Sequence, residues 1–131
     1  MNAIASLNPI AVLIATAAAF AWGGLYWAAI APSFARALRL EPEPRWPGSA
    51  LVIAFLTRLV QAFGVALVLG VAGVETVGAG AIAGAVLCCL VLLPFMVGQA
   101  AFGTGSSWRR LLVATPGVLI DITIIGAIVV L

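Results

Sequence analysis

The sequence contains no histidine and no lysine. Without imidazole there is no histidine ligand for haem or for a metal ion, and the commonest side-chain proton shuttle is missing. Charge of either sign is scarce. Six arginines and four acidic residues make up 8% of 131 residues, whereas a soluble domain normally carries about a quarter. A chain this poor in charge cannot coat itself for water. Cysteine is limited to the adjacent pair Cys88 and Cys89. Neighbouring side chains diverge on a helix, so the two read as small apolar filler rather than a redox or metal pair. A nucleotide-binding glycine loop, a metal-ligand cluster and a nucleophile–base spacing are all missing. No catalytic residue, metal or cofactor is therefore expected, an enzyme is the class with least support, and nucleic acid is not an expected partner.

What the sequence has is apolar surface, 65% of its residues, gathered into four stretches at 8–31, 49–72, 76–100 and 111–131. Each reaches the roughly 20 residues needed to cross about 30 Å of hydrocarbon. The expected fold is all-α, an integral membrane four-helix bundle forming one transmembrane domain, with connecting loops at 32–48 and 101–110. The first stretch contains small residues of the kind found before signal cleavage sites. No basic residue precedes it, and its apolar run outlasts a signal core, so it is read as a span.

Charge asymmetry gives an expected orientation. Arg36, Arg39 and Arg45 fall in the first loop, and Arg109 and Arg110 in the third. The N-terminal segment, the turn at Glu75 and the C-terminus carry no arginine. Short arginine-rich loops stay cytoplasmic, so both termini are expected on the non-cytoplasmic side of a bacterial inner (plasma) membrane. Tyr26 and Trp27 are expected to close the first helix, with Trp46 and Trp108 preceding the second and fourth. As amphipathic rings they would anchor at the headgroup layer beside Arg36, Arg39, Arg109 and Arg110. The segment "PSFARALRL" reads as a short amphipathic turn lying on the surface. "SFARAL" and "SWRRLL" resemble each other, as two interfacial anchors would.

Polar residues inside the spans are few. Arg58 lies roughly 10 Å into the second span and Asp121 about 15 Å into the fourth, counting 1.5 Å per residue from the same side. Either charge alone costs about 2.5–3.5 kcal/mol at a helix centre, so the two are expected to pair. Gln61, three residues after Arg58, shares its face and is expected to accept a guanidinium N–H. Pro94 frees the Leu90 carbonyl for another donor, and the indole of Trp22 lies too deep for the interface and needs an acceptor. Thr115–Pro116 is expected to kink the fourth helix. Gly80 and Gly84 have the small-xxx-small spacing of close helix contacts, within the bundle or between protomers, and an oligomer face containing them is expected.

The stretch "NPIAVLIATAAAFAWGGLYW", with the pattern Asn8–x–x–Ala11–Val12 and a following aromatic pair, resembles a bacterial membrane protein family called domain of unknown function 1761. The resemblance continues through Phe102–Gly103 and "LIDITIIGAIVV" and covers nearly the whole chain. Two departures stand out: Tyr26–Trp27 where the family usually has Trp–Tyr, and "APSFARAL" where a segment with Gly, Lys and Trp is usual. The resemblance implies the architecture and no activity. If Asp121 is the family's last-helix Asp, it marks a recurring position whose role the family does not state. The first helix lacks the carboxylate of the small multidrug exporters. The signatures of the fluoride channels and of the membrane glutathione enzymes are missing too. The expected role is structural or accessory, with the lipid bilayer and itself or other membrane subunits as partners. The alternative is a small transporter or channel using Arg58 and Asp121.

Overall fold

The computed structural model describes residues 7–41, 47–103 and 107–131. Among them there are four long helices and no strand: α1 (Pro9–Ala37), α2 (Gly48–Val71), α3 (Val77–Ala101) and α4 (Ser107–Val129). All four are long and apolar enough to cross a membrane. Helix starts are set by side-chain caps. Asn8 Oδ1 accepts from the backbone N–H groups of Ile10 and Ala11 with Pro9 in the first turn, and Thr76 caps α3 through Ala79 N–H. Between α2 and α3, Gly73 adopts φ +68°, and the Val74 N–H returns to the Leu69 carbonyl. A side chain would strain that backbone, so glycine suits the turn. The end of α1 uses the same closure with Arg39 at φ 54° and Leu40 N–H on the Ala35 carbonyl.

The first and fourth helices begin and end differently from the sequence reading. The first does not stop at 31, and Pro32–Ala37 is not a separate turn on the surface. A widened turn at Tyr26–Ile30, closed by the Ala31 N–H on the Tyr26 carbonyl, lets the helix run on to Ala37. Pro32 follows at once. A second widened turn at Cys88–Leu92, closed by Leu93 on Cys88, stands in the same relation to Pro94. Proline lacks an N–H, and its ring crowds the carbonyl four residues back. A turn with one extra residue relieves both, so each helix passes its proline intact. The fourth helix begins at Ser107 rather than 111, which places Arg109 and Arg110 in its first turn. It continues through Pro116 as one helix.

Packing is uneven. Helix α4 touches all three others: α3 most extensively, α1 next and α2 least. Helix α2 leans on α1, where Phe20 and Phe55 meet edge to face with centroids 5.5 Å apart. The core is built of small residues: Ala15, Ala19 and Ala62 are fully buried beside Val12, Ile122 and Ile125. Alanines let backbones approach, and dispersion then holds the helices where the hydrophobic effect gives no drive.

The glycine seam is a correction to the expected oligomer face. Gly80 and Gly84 are buried within the chain against α4, where Gly126 interlocks with them. A Cβ on Gly84 would stand 2.5 Å from the Ile122 carbonyl oxygen, and one on Gly80 would meet the carbonyl of Gly126. The face is consumed by the α3–α4 contact, so none of it remains for a second protomer.

Candidate functional site

The charged pair forms midway along α2 and α4. Arg58 is the eleventh residue of α2 and Asp121 the fifteenth of α4. Their facing sides carry Ala62, Ala66, Ile122 and Ile125, small enough in α2 for an arginine to cross to the neighbouring helix. Arg58 Nε lies 2.9 Å from Asp121 Oδ2, yet its N–H is not aimed at an acceptor, so the contact is an ion pair without a formed hydrogen bond. Gly23 of α1 provides the space. A Cβ there would stand 3.1 Å from the Arg58 Nη2. Asp121 is 3% exposed, and its Oδ1 is buried with no donor among the described residues. Three helices thus meet at one pair.

The neighbours expected from sequence do not all arrive. Gln61 lies on α2 but makes no contact with the pair, lining instead a shallow groove on the outside of that helix and the cleft between α2 and α3. Spacing alone could not separate the two residues, since residues three apart diverge by about 60° on a helix with 3.6 residues per turn. Leu90 lies on an exposed side of α3, and no contact joins its carbonyl to Arg58. The expected pairing of the two charges is made through a single carboxylate oxygen.

Trp22 finds its acceptor elsewhere. Its indole N–H donates to the Gly117 carbonyl at 3.1 Å. One turn on, the Tyr26 hydroxyl donates to the Val113 carbonyl. A Cβ on Gly117 would stand 2.6 Å from the Tyr26 ring, so glycine makes the seat into which the ring fits. Tyr26 is 2% exposed, which corrects its assignment as an interfacial anchor. It is a core residue, with Ala31 and Val113 around it. The signal available in sequence was the Pro116–Gly117 dipeptide, a place where a helix both loses a hydrogen bond and admits a ring. Val113, Gly117 and Asp121 are spaced by four, on one side of α4. Each receives a polar group from α1 or α2, and the three contacts form a ladder along the centre of the bundle.

The other proposed anchors among the described residues are exposed. Trp27 meets Tyr26 edge-on at 5.6 Å and faces outward, and Trp108 lies in the first turn of α4. Helix α1 runs ten residues past Trp27, so that ring does not close it. Arg36 donates through Nε to the Pro32 carbonyl at 3.3 Å. Arg39, Arg109 and Arg110 are exposed at the same end of the bundle. Trp46 and Arg45 lie outside the described residues. Cys88 is buried, and Cys89 beside it is exposed.

Chemically, the site offers one guanidinium, one carboxylate with an oxygen lacking a donor, and two aromatic donors already committed to backbone. It joins α1, α2 and α4 at a set height. Comparison with curated proteins and with solved structures gives no match. A family model described as "Protein of unknown function (DUF1761)" matches residues 10–130, a range that includes the ion pair, the ladder on α4 and the glycine seam. The chain belongs to that family.

Proposed function

We propose that this is a structural or accessory protein of the bacterial inner membrane, not an enzyme, working as an assembly of its own copies or as a subunit of a larger membrane complex. The observation that carries this reading is the division of labour among the helices. α1 and α4 bury more than twice the share of their apolar length that α2 and α3 bury, and the Arg58–Asp121 pair and the aromatic ladder hold the centre. A bundle built this way has a stiff joint and two broad helix faces left to its surroundings. Both termini are assigned to the non-cytoplasmic side on the arginine distribution. Native mass spectrometry after gentle extraction from the source membrane tests the reading. Copies or partner subunits should remain bound, and a lone monomer under every mild condition would overturn it.

A second reading has one observation in its favour. Asp121 Oδ1 is buried without a donor, and an intramembrane carboxylate in that state is able to take up a proton or a small cation. A small transporter or channel would use Arg58 and Asp121 as its gate or coupling site. That use requires water to reach the pair, which the small-residue packing of α1, α2 and α4 opposes.

A further inference from the structure

Deep in the spans, nearly every uncharged polar side chain has its hydrogen bond inside the chain. Thr16, Thr57, Thr115 and Thr123 each donate to the carbonyl four residues back. Trp22 and Tyr26 donate to α4. Gln61 is different. It has no partner among the described residues, and it lines both a groove on the outer side of α2 and the cleft between α2 and α3. It follows the start of α2 by thirteen residues and precedes its end by ten, which puts it about 15–20 Å from either end at 1.5 Å per residue. A glutamine side chain is too short to reach the headgroups from there. Its amide has two donors and a carbonyl acceptor, and hydrocarbon offers nothing to any of them.

The surroundings of Gln61 suit a helix. Thr57, Gln61, Gly64 and Val68 follow at intervals of four, three and four, which places them in one stripe along α2. The space over Gly64 is open, so a second backbone can come close beside the amide. Helices α2 and α3 hardly meet, and the cleft between them, about 220 Å³, is floored by Ile122 of α4 and walled by Gln61, Gly64, Val68 and Leu87. A lipid tail would fill this surface but leave the amide unpaired.

We infer that a second copy of this chain covers the stripe, its α2 lying beside the first α2 across a twofold axis along the membrane normal. Two copies inserted with the same orientation bring Gln61 to the same depth, and a primary amide is its own complement. The N–H of each Gln61 donates to the carbonyl oxygen of the other, as an isologous contact requires. Another protein would have to place a donor and an acceptor at this height, whereas a second copy does so by symmetry. The inference rests on the assembly reading above and specifies the partner and the surface.

Disulfide trapping in native membranes tests it. With Cys88 and Cys89 replaced by alanine, single cysteines are placed at Thr57, at Val68 and at Phe63, which is exposed on another side of α2. Oxidation should give dimers from Thr57→Cys and Val68→Cys and little from Phe63→Cys. These variants keep Gln61, so the result does not depend on how its replacement folds. Adding Gln61→Leu to Val68→Cys should weaken dimerisation about fivefold or more, as the loss of interhelical hydrogen bonds in a membrane predicts. Gln61→Asn should retain part of the effect. Preferential trapping at Phe63, an undiminished dimer with Gln61→Leu, or no trapping at any position would overturn the inference. If native mass spectrometry still shows copies or partners bound in that case, the assembly reading survives and only the α2 surface is wrong.

Discussion

Asp121 and Arg58 compensate each other in a setting where neither is tolerable alone. Removing one leaves the other charge in a low-dielectric interior, at a cost of about 3–5 kcal/mol for a buried pair. Removing both leaves apolar surface that neighbouring helices accept. Arg58→Leu and Asp121→Leu should each lower thermal stability or folded yield in detergent, and the double variant should recover much of the loss, a coupling that only partners in contact show. Simple addition of the two defects would mean that the 2.9 Å contact contributes nothing. The double variant also separates the two functional readings. A stable protein that keeps its partners makes the pair architectural, and a stable protein that has lost a measurable flux makes it a transport site. At this scale the sequence was informative about charge and depth and silent about direction. Arg58 and Gln61 are three residues apart and looked like one cluster, but only the positions of α1 and α4 decide that one meets Asp121 and the other does not.

Helix–helix contacts depend on glycines whose function is visible only in pairs. Gly84 spaced four from Gly80 was legible as a close-contact motif. Its partner, Gly126, lies more than forty residues away and is marked by nothing local. With a Cβ on Gly84 only 2.5 Å from a backbone oxygen, the α3 and α4 backbones would have to separate. Overpacking of this kind costs about 1–3 kcal/mol or more. Gly84→Ala should therefore lower the melting temperature of the extracted protein while leaving its oligomer distribution unchanged. A shift toward monomers at unaltered stability would return the seam to the outside of the molecule. The widened turns before Pro32 and Pro94 belong to the same scale. The apolar run of the first stretch stops at 31, and the expected end of its helix followed from that, while Pro94 was expected only to free a carbonyl. The structure instead inserts one residue into the turn ahead, which a helix does when its flanks are held by packing, as Tyr26 and Cys88 are.

For the whole molecule, orientation is the property with the most direct test. Five arginines fall at one end of the four spans or in the loops there, and none at the other, and the proposed orientation puts that end in the cytoplasm. In a background lacking Cys88 and Cys89, an impermeant thiol reagent applied from outside should label Glu75→Cys and miss Gly103→Cys. The reverse pattern would invert the molecule. Composition and run length were enough to find four helices long and apolar enough to cross a membrane, because the hydrocarbon core imposes its thickness on any chain that crosses it. Charge and depth were enough to nominate Arg58 and Asp121 as partners. Which helix lies at the centre was decided only in three dimensions. α4 holds that place because its Val113, Gly117 and Asp121 receive Tyr26, Trp22 and Arg58 on one side, while its Gly126 admits α3 on another. Hydrophobicity in a bilayer cannot rank the helices, since lipid tails are as apolar as the side chains they would replace. The order comes from backbone approach and from polar groups finding partners, and both are set by residues far apart in the chain.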